Sequence, residues 1–266
     1  MKDAVFEYAR HRREDDRWAL GRFVVPFPRW NDLMSSFESI AGAGEWWPVS
    51  LLAAAHESAR ICELAEHSTE LRVESVETKA STVADLVSVT PMVERGLSVF
   101  VEPTRLSEFE EVAVGLKRVG AAAKIRTGGV TADAFPTPEQ VLAFMKTCRK
   151  AGIRFKATAG LHHAMRGEYP LTYETSFSLG EMFGFLNVAM AAALLWSGRP
   201  DSVVIQALNE RTADAFEFNN DGALWRNNWL SLAELEKAHS EFFAGFGSCS
   251  FREPMAELVL GADGPA

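Results

Sequence analysis

Charged side chains occur near the ends of three successive apolar segments in the middle of the chain. They are Glu102 in VFVEP, Lys124 in AKIRTG and Lys156 in RFKATAG. Side chains alternate between the two faces of a strand, so an apolar residue that packs on helices turns its charged neighbours to the opposite face. In these three segments the alternation places the two lysines and the glutamate on the inner face of a barrel.

Two amines on adjacent strands would have a specific chemistry. Neighbouring strands lie about 4.8 Å apart, so the ammonium groups of Lys124 and Lys156 would repel, and one would lose its proton more easily. A neutral amine attacks a carbonyl to form a Schiff base, and Glu102 could balance charge or shuttle protons. The competing interpretation is a buried salt-bridge cluster of Glu102 with Lys124 and Arg126 that only stabilises the barrel.

The elements that would position these groups alternate along the chain. Short apolar runs at 22–27, 47–54, 71–80, 97–103, 121–129 and 153–163 are each predicted to be strands, separated by helical patterns. Thr137, Pro138 and Gly152 are the start and stop signals of one such helix. The pattern predicts an α/β fold, a (β/α)8 barrel of the TIM type, with an irregular C-terminal third.

The C-terminal third is less regular, with an apolar helix at 182–198, a hairpin turning at Asn220-Asp221-Gly222, and a last strand and loop over 247–254. We predict a single domain over 1–266 with a helical N-terminal extension at 1–20, because one barrel usually occupies about 250 residues. Barrel enzymes keep their chemistry at the carboxyl ends of the strands, which is where the charged residues lie.

Two strings carry a family resemblance. KIRTG, from Lys124 to Gly128, resembles the K-x-x-T-G strand motif of the deoxyribose-phosphate aldolases, and KATAGL, from Lys156, resembles the next strand of that family. GSCS, starting at Gly247, is similar to its late phosphate loop. The resemblance implies that Lys124 is the Schiff-base lysine and Lys156 the lysine that tunes it. The whole chain also looks like an uncharacterised bacterial family that carries FKATAGLHH and GSCSF.

Further residues near these strand ends are candidates for substrate binding. The candidates are Arg126, Thr127, Thr158, His162, Glu77, Gly247, Ser248 and Ser250. Adjacent residues of an extended chain point apart, so at most one of His162 and His163 is expected to enter the site. In VESVETK neither set of alternating residues is clearly apolar, so the face to which Glu77 points is ambiguous. Asn187, within an apolar helix, could form hydrogen bonds either with a substrate or with nearby backbone groups.

The bulk composition restricts the partners. The 266 residues carry a formal net charge of −9, and phosphate neutralisation needs clustered Lys and Arg, so no nucleic-acid partner is expected. Three cysteines, Cys62, Cys148 and Cys249, form no CxxC pair. No signal peptide or membrane span is recognised at the sequence level, which predicts a cytoplasmic protein. A small-molecule substrate and a homo-oligomer are expected, and neither a metal nor another cofactor.

Three functions are compatible with these features. The first is a class I aldolase-like lyase that acts on a small carbonyl substrate, phosphorylated or not, through a Schiff base on Lys124. The second is a metal-dependent hydrolase or isomerase that uses Glu77, Glu102 and a histidine. The third is a non-catalytic barrel in which Lys124, Arg126 and Lys156 clamp an anion.

Overall fold

The chain forms two compact units, each built around parallel strands. A computed structural model describes residues 1–42, 44–80, 82–129, 131, 134–171 and 179–260. The first unit comprises Met1–Thr104 with Gly115–Ala122, and the second comprises Arg105–Val114 with Ala123–Ala266.

The first unit contains four parallel strands in the order β1-β2-β3-β4. The bounds of the strands are β1 Phe23–Pro26, β2 Trp47–Leu52, β3 Leu71–Ala80 and β4 Ser98–Pro103. Helix α1 Lys2–His11 precedes β1, and the helices between the strands are α2 Trp30–Glu38, α3 Ser58–His67 and α4 Thr90–Glu94. The predicted strands at 22–27, 47–54, 71–80 and 97–103 are confirmed.

The N-terminal helix α1 packs against the edge of this unit. Val5 and Tyr8 are buried, and the Tyr8 ring lies 4.8 Å from the ring of Trp47 on β2 and 5.2 Å from that of Phe23 on β1. The Tyr8 hydroxyl also donates to the carbonyl of Gly21 at 2.7 Å. The helix predicted within residues 1–20 is therefore part of the packed core of the first unit.

A bulge in β3 explains why the parity of this strand is ambiguous in the sequence. Val49 of β2 pairs with Val73, but the next residue, Ser50, pairs with Ser75. The extra residue, Glu74, reverses the alternation within one strand. Beyond the bulge Glu77 is placed beside Phe100 of β4, on the face opposite to Val76.

The second unit contains three parallel strands in the order β5-β6-β12 and most of the helices. The strands are β5 Ala122–Arg126, which starts in the first unit, β6 Phe155–Thr158 and β12 Phe243–Gly247. Helix α5 Phe109–Val119 contributes to both units, and the others are α6 Pro138–Ala151, α7 Phe185–Trp196, α8 Asp201–Leu208, α9 Leu232–Glu241 and α10 Arg252–Leu260.

The start and stop signals of α6 act as predicted. The Thr137 hydroxyl accepts a hydrogen bond from the Gln140 amide at 3.3 Å, and Pro138 occupies the first turn. Gly152 ends the helix in the left-handed conformation, at φ 64°. On the inner side of α6, Phe144 packs edge-on against Phe155 of β6, with ring centroids 5.6 Å apart.

The C-terminal third adds antiparallel strands. They form the pair β7 Gly167–Pro170 and β8 Leu179–Met182, and the sheet β9 Phe216–Asn219, β10 Gly222–Trp225 and β11 Asn228–Ser231. The hairpin predicted at Asn220-Asp221-Gly222 joins β9 to β10. The predicted α/β class is confirmed, with parallel strands alternating with helices as in a TIM-type barrel and an irregular C-terminal third. The described residues contain seven parallel strands, where the predicted barrel has eight.

The last strand lies earlier than predicted. The sequence predicts a last strand and loop over 247–254, but β12 is Phe243–Gly247 and residues from Arg252 form α10. Phe242 and Phe243 pack on Phe155 with centroids 5.0 and 5.2 Å away, so tertiary contacts with β6 end helix α9 and start the strand. Across the part of the chain that is described, no helix has the length and apolar content to cross a bilayer.

Candidate functional site

The two lysines lie side by side in the second unit. Lys124 of β5 and Lys156 of β6 are direct partners in the parallel register, one row below Arg126 and Thr158. Paired residues of adjacent strands project to the same face. Lys124 is 8% exposed and Lys156 is half-buried. The opposite face is apolar, with Ile125, Phe155 and Ala157 fully buried, as the alternation in the sequence predicted.

Strand β12, which pairs with β6, leaves space beside Lys124 and Lys156. Gly245 of β12 is the partner of Lys156, and Gly247 is the partner of Thr158. A Cβ placed on Gly245 would meet no atom within 4 Å, whereas one placed on Gly247 would lie 3.3 Å from the Thr158 methyl group. The space next to Lys156 is therefore open on the side of β12 and becomes narrower at the strand ends.

Thr158 and Thr127 use their hydroxyl groups differently. The Thr158 hydroxyl is buried and has no hydrogen-bond partner among the described residues. The Thr127 hydroxyl donates to the Ala159 carbonyl at 2.7 Å, with the Thr158 carbonyl at 3.3 Å. Thr127 therefore holds the ends of β5 and β6 together, while Thr158 keeps an uncommitted polar group next to the lysines.

The loops that follow β5 and β6 touch through their glycines. A Cβ on Gly128 would lie 2.9 Å from the Gly160 Cα, and one on Gly160 would lie 3.1 Å from the Gly128 Cα. Gly160 has φ 71°, and Ala159 before it has φ 67°, which is strained for a residue with a side chain. The close backbone contact sets the spacing of the two strand ends that carry the lysines.

We expect Gly128→Ala to destabilise the protein, because the added methyl group meets the Gly160 backbone and the Phe135 ring. Overpacking of this kind costs about 1–3 kcal/mol of unfolding free energy. Urea unfolding monitored by circular dichroism measures the change. Gly21→Ala is the matched control, since a Cβ there meets nothing within 4 Å. Equal stability of the two variants would contradict the assigned loop contact.

The predicted residues after β6 and β12 converge. His162 Nδ1 lies 3.1 Å from Glu253 Oε2 and 3.3 Å from the Ser248 hydroxyl. The Ser250 hydroxyl accepts a hydrogen bond from the Glu253 amide at 3.2 Å, next to the start of α10. His163 points elsewhere: its Nδ1 lies 2.6 Å from Glu257 Oε1 and its ring stacks on Tyr169. Both histidines thus contact glutamates of α10.

The two predicted acids lie in the first unit. Glu102 is buried and its carboxylate lies 3.5 Å from the ammonium of Lys79, its partner on β3. Glu77 is buried as well and accepts a hydrogen bond from the Ser50 hydroxyl at 3.4 Å. The sequence did not single out Lys79 as a partner of Glu102, because the bulge at Glu74 concealed the parity of β3. Among the described residues no cluster of three or more His, Cys, Asp or Glu side chains fits a metal site.

Asn187 has a structural role in the second unit. Its side chain donates to the carbonyls of Ala207 and Glu210 at 2.8 Å each, and accepts from the Arg166 amide at 2.8 Å. The interpretation that it satisfies backbone groups is confirmed. Cys249 and Glu253, by contrast, were not selected from the sequence, although Cys249 is the cysteine that falls outside a helical pattern.

Comparison with known proteins gives a remote match to a solved structure. No family model matches the chain, and no curated protein matches it. The solved structure has a remote likeness to the chain. It is a tetrameric deoxyribose phosphate aldolase from Aeropyrum pernix, with a TM-score of 0.33 and 14% identity, over 61% of this chain and 86% of that chain. A likeness this remote does not assign a reaction, so the function is inferred from this chain's own residues.

Proposed function

We propose that the protein is a class I aldolase-like lyase that forms a Schiff base between Lys124 and a small carbonyl substrate. The observation that carries the proposal is the direct pairing of Lys124 with Lys156 on one face of β5 and β6. Nucleophilic lysines are typically found in desolvated positions or next to another cation. Lys124 has both features, since it is buried and a second lysine occupies the adjacent position.

The surroundings suit a small carbonyl compound. Gly245 leaves open space beside Lys156, and the Thr158 hydroxyl offers an uncommitted polar group one row further along. Arg126, the partner of Thr158, is exposed at the end of β5, where it could contact an anionic group of a substrate. In the proposed reaction the amine adds to the carbonyl carbon and water leaves. The protonated imine then accepts the electron pair of the Cα–Cβ bond as that bond breaks, while the β-hydroxyl group gives its proton to water and becomes the carbonyl of the released product.

Reductive trapping tests this proposal. The protein is incubated with acetaldehyde or glyceraldehyde 3-phosphate, and sodium borohydride then reduces any imine to a stable secondary amine. We expect the adduct on Lys124, located by peptide mass spectrometry, at a rate well above that of the exposed Lys150. If neither carbonyl compound forms an adduct at Lys124 faster than at Lys150, the proposal that Lys124 forms an imine is rejected.

A separate observation favours the alternative that the protein binds an anion without catalysis. Arg126 follows Lys124 by two residues on the same face of β5, so three cationic side chains lie near one another at the ends of β5 and β6. In that case the protein would bind inorganic phosphate without trapping any aldehyde. Isothermal titration with phosphate, performed beside the borohydride experiment, separates the two functions. Arg126→Gln would then weaken phosphate binding, because the guanidinium provides paired donors for an oxyanion.

A further inference from the structure

An exposed thiol lies against the imidazole of His162, in the turn between β12 and α10. The Cys249 sulfur is 3.7 Å from both ring nitrogens of His162. Cysteine nucleophiles are activated by a nearby histidine, because the imidazolium stabilises the thiolate. Cys249 is also solvent-accessible, so that a reagent can reach its sulfur.

A carboxylate orients this histidine. Glu253 Oε2 lies 3.1 Å from His162 Nδ1, and the Ser248 hydroxyl lies 3.3 Å from the same nitrogen. Nδ1 thus faces the carboxylate, while the Cys249 sulfur lies at the same distance from both ring nitrogens. A nucleophile, a base and a group that orients the base form the arrangement that activates side chains for covalent chemistry.

The charges around the pair favour the imidazolium. The hydrogen bond that the imidazolium donates to the Cys249 sulfur is the largest effect and raises the pKa of His162 against the opposing effect of burial, and the charges of Cys249 and Glu253 raise it further. The neighbouring His163 is engaged by Glu257, a second carboxylate on the same helix. Both glutamates of α10 therefore face histidines of the loop that follows β6.

The other cysteines of the chain differ from Cys249 in their surroundings. Cys62 on α3 is 3% exposed and Cys148 on α6 is fully buried. Burial raises the pKa of the Cys148 thiol well above its usual value. A reagent added to the folded protein therefore meets a single accessible thiol.

We propose that Cys249 is a reactive thiolate, positioned by His162 and Glu253, that hydroperoxides oxidise to a sulfenic acid. The sulfur attacks one peroxide oxygen, an S–O bond forms and the O–O bond breaks. Sulfur loses two electrons and the peroxide gains them, while His162 gives a proton to the departing hydroxide or alkoxide. This modification site goes beyond the lyase proposed above and does not require Lys124.

Alkylation by iodoacetamide at pH 6.5 measures the thiolate directly. We expect one rapid modification at Cys249 in the folded protein, and three in guanidinium chloride. His162→Asn should slow the reaction at least about 10-fold, since an ordinary thiol with a pKa near 8.5 is almost entirely protonated at this pH. Hydrogen peroxide followed by dimedone should label the same residue, and Cys249→Ser should remove both signals.

His163→Asn is the matched control, because it removes the adjacent histidine and its contact with α10. It should leave the alkylation rate unchanged, as should Lys124→Met. The proposal is rejected if His163→Asn slows the reaction as much as His162→Asn does. It is rejected equally if Cys249 in the folded wild type reacts no faster than in the denatured chain, or if peroxide gives no dimedone adduct.

Discussion

Replacing Lys124 with methionine should abolish the rapid borohydride trapping of aldehydes and leave only the slow trapping at exposed lysines such as Lys150, while the protein stays folded. Methionine keeps much of the length and apolar character of the lysine side chain and removes its ammonium group, so the buried position on β5 remains filled. The expected effect is a complete loss of the Lys124 adduct, and of any C–C bond cleavage that depends on the imine. Trapping measured by mass spectrometry and stability measured by thermal unfolding are recorded on the same sample.

We expect Lys156 to increase the reactivity of Lys124 with aldehydes. Lys156→Met removes the positive charge at the paired position on β6 and should slow adduct formation at Lys124 about 100-fold, within the range reported for acid–base groups. Lys150→Met, on the exposed surface of α6, is the control and should change neither rate nor stability. Equal trapping in the Lys156→Met and Lys150→Met variants would show that the pairing of the lysines has no chemical consequence.

Glu210→Gln should give the largest loss of stability among the substitutions considered. The Glu210 side chain is 4% exposed and accepts hydrogen bonds from Arg226 Nε at 2.6 Å and from Trp225 Nε1 at 3.2 Å. It also accepts the backbone amides of Arg211 and Thr212 at 3.0 and 3.1 Å. Glutamine keeps the size but loses the charge and one acceptor oxygen, so we expect a cost of about 3 kcal/mol in unfolding free energy.

This carboxylate also stabilises a strained turn. Arg226, between β10 and β11, has φ 52°, which is unfavourable for a residue with a side chain, and its guanidinium bonds to Glu210. Burial alone would raise the pKa of Glu210, but the bonds from Arg226, Thr212 and Arg211 outweigh it and hold the pKa below its usual value. The folded state therefore favours the ionised form of the Glu210 carboxyl group.

The pH dependence follows from that direction. A carboxyl group whose pKa is lower in the folded state stabilises the fold above the unfolded pKa of about 4.3, and the contribution is lost as the pH falls through the folded pKa. The difference between wild type and Glu210→Gln should thus be greatest at pH 7 and shrink in acid. Urea unfolding at pH 7 and pH 3.5 measures it, with the exposed Glu217→Gln as the control. A difference that does not change with pH would contradict the role of the charge.

Much of the local structure was determined by the sequence. Alternation in AKIRTG and RFKATAG predicted that Lys124 and Lys156 face the side opposite to Ile125 and Ala157, because a strand has a period of two. The cap at Thr137 and the terminator Gly152 likewise depend on hydrogen bonds and backbone angles within a few residues. Features of this kind are readable because the interacting groups are close together in the chain.

The tertiary structure determined the features that depend on contacts between segments distant in the sequence. The bulge at Glu74 is defined by the register with β2, and it placed Lys79 next to Glu102. Strand β12 forms where Phe242 and Phe243 meet the Phe155 ring, directly after helix α9. These arrangements arise from packing and pairing between segments, for which a single sequence has no periodic signal.

The contact between Cys249 and His162 shows this division most directly. Each residue type was visible in the sequence, but 87 positions separate them, and they meet because β12 pairs with β6 and α10 follows. The sequence by itself determined which chemical groups the strands carry and which way they face. Only the tertiary structure decided which groups touch, because strand pairing brings together side chains whose separation along the chain contains no information about their distance.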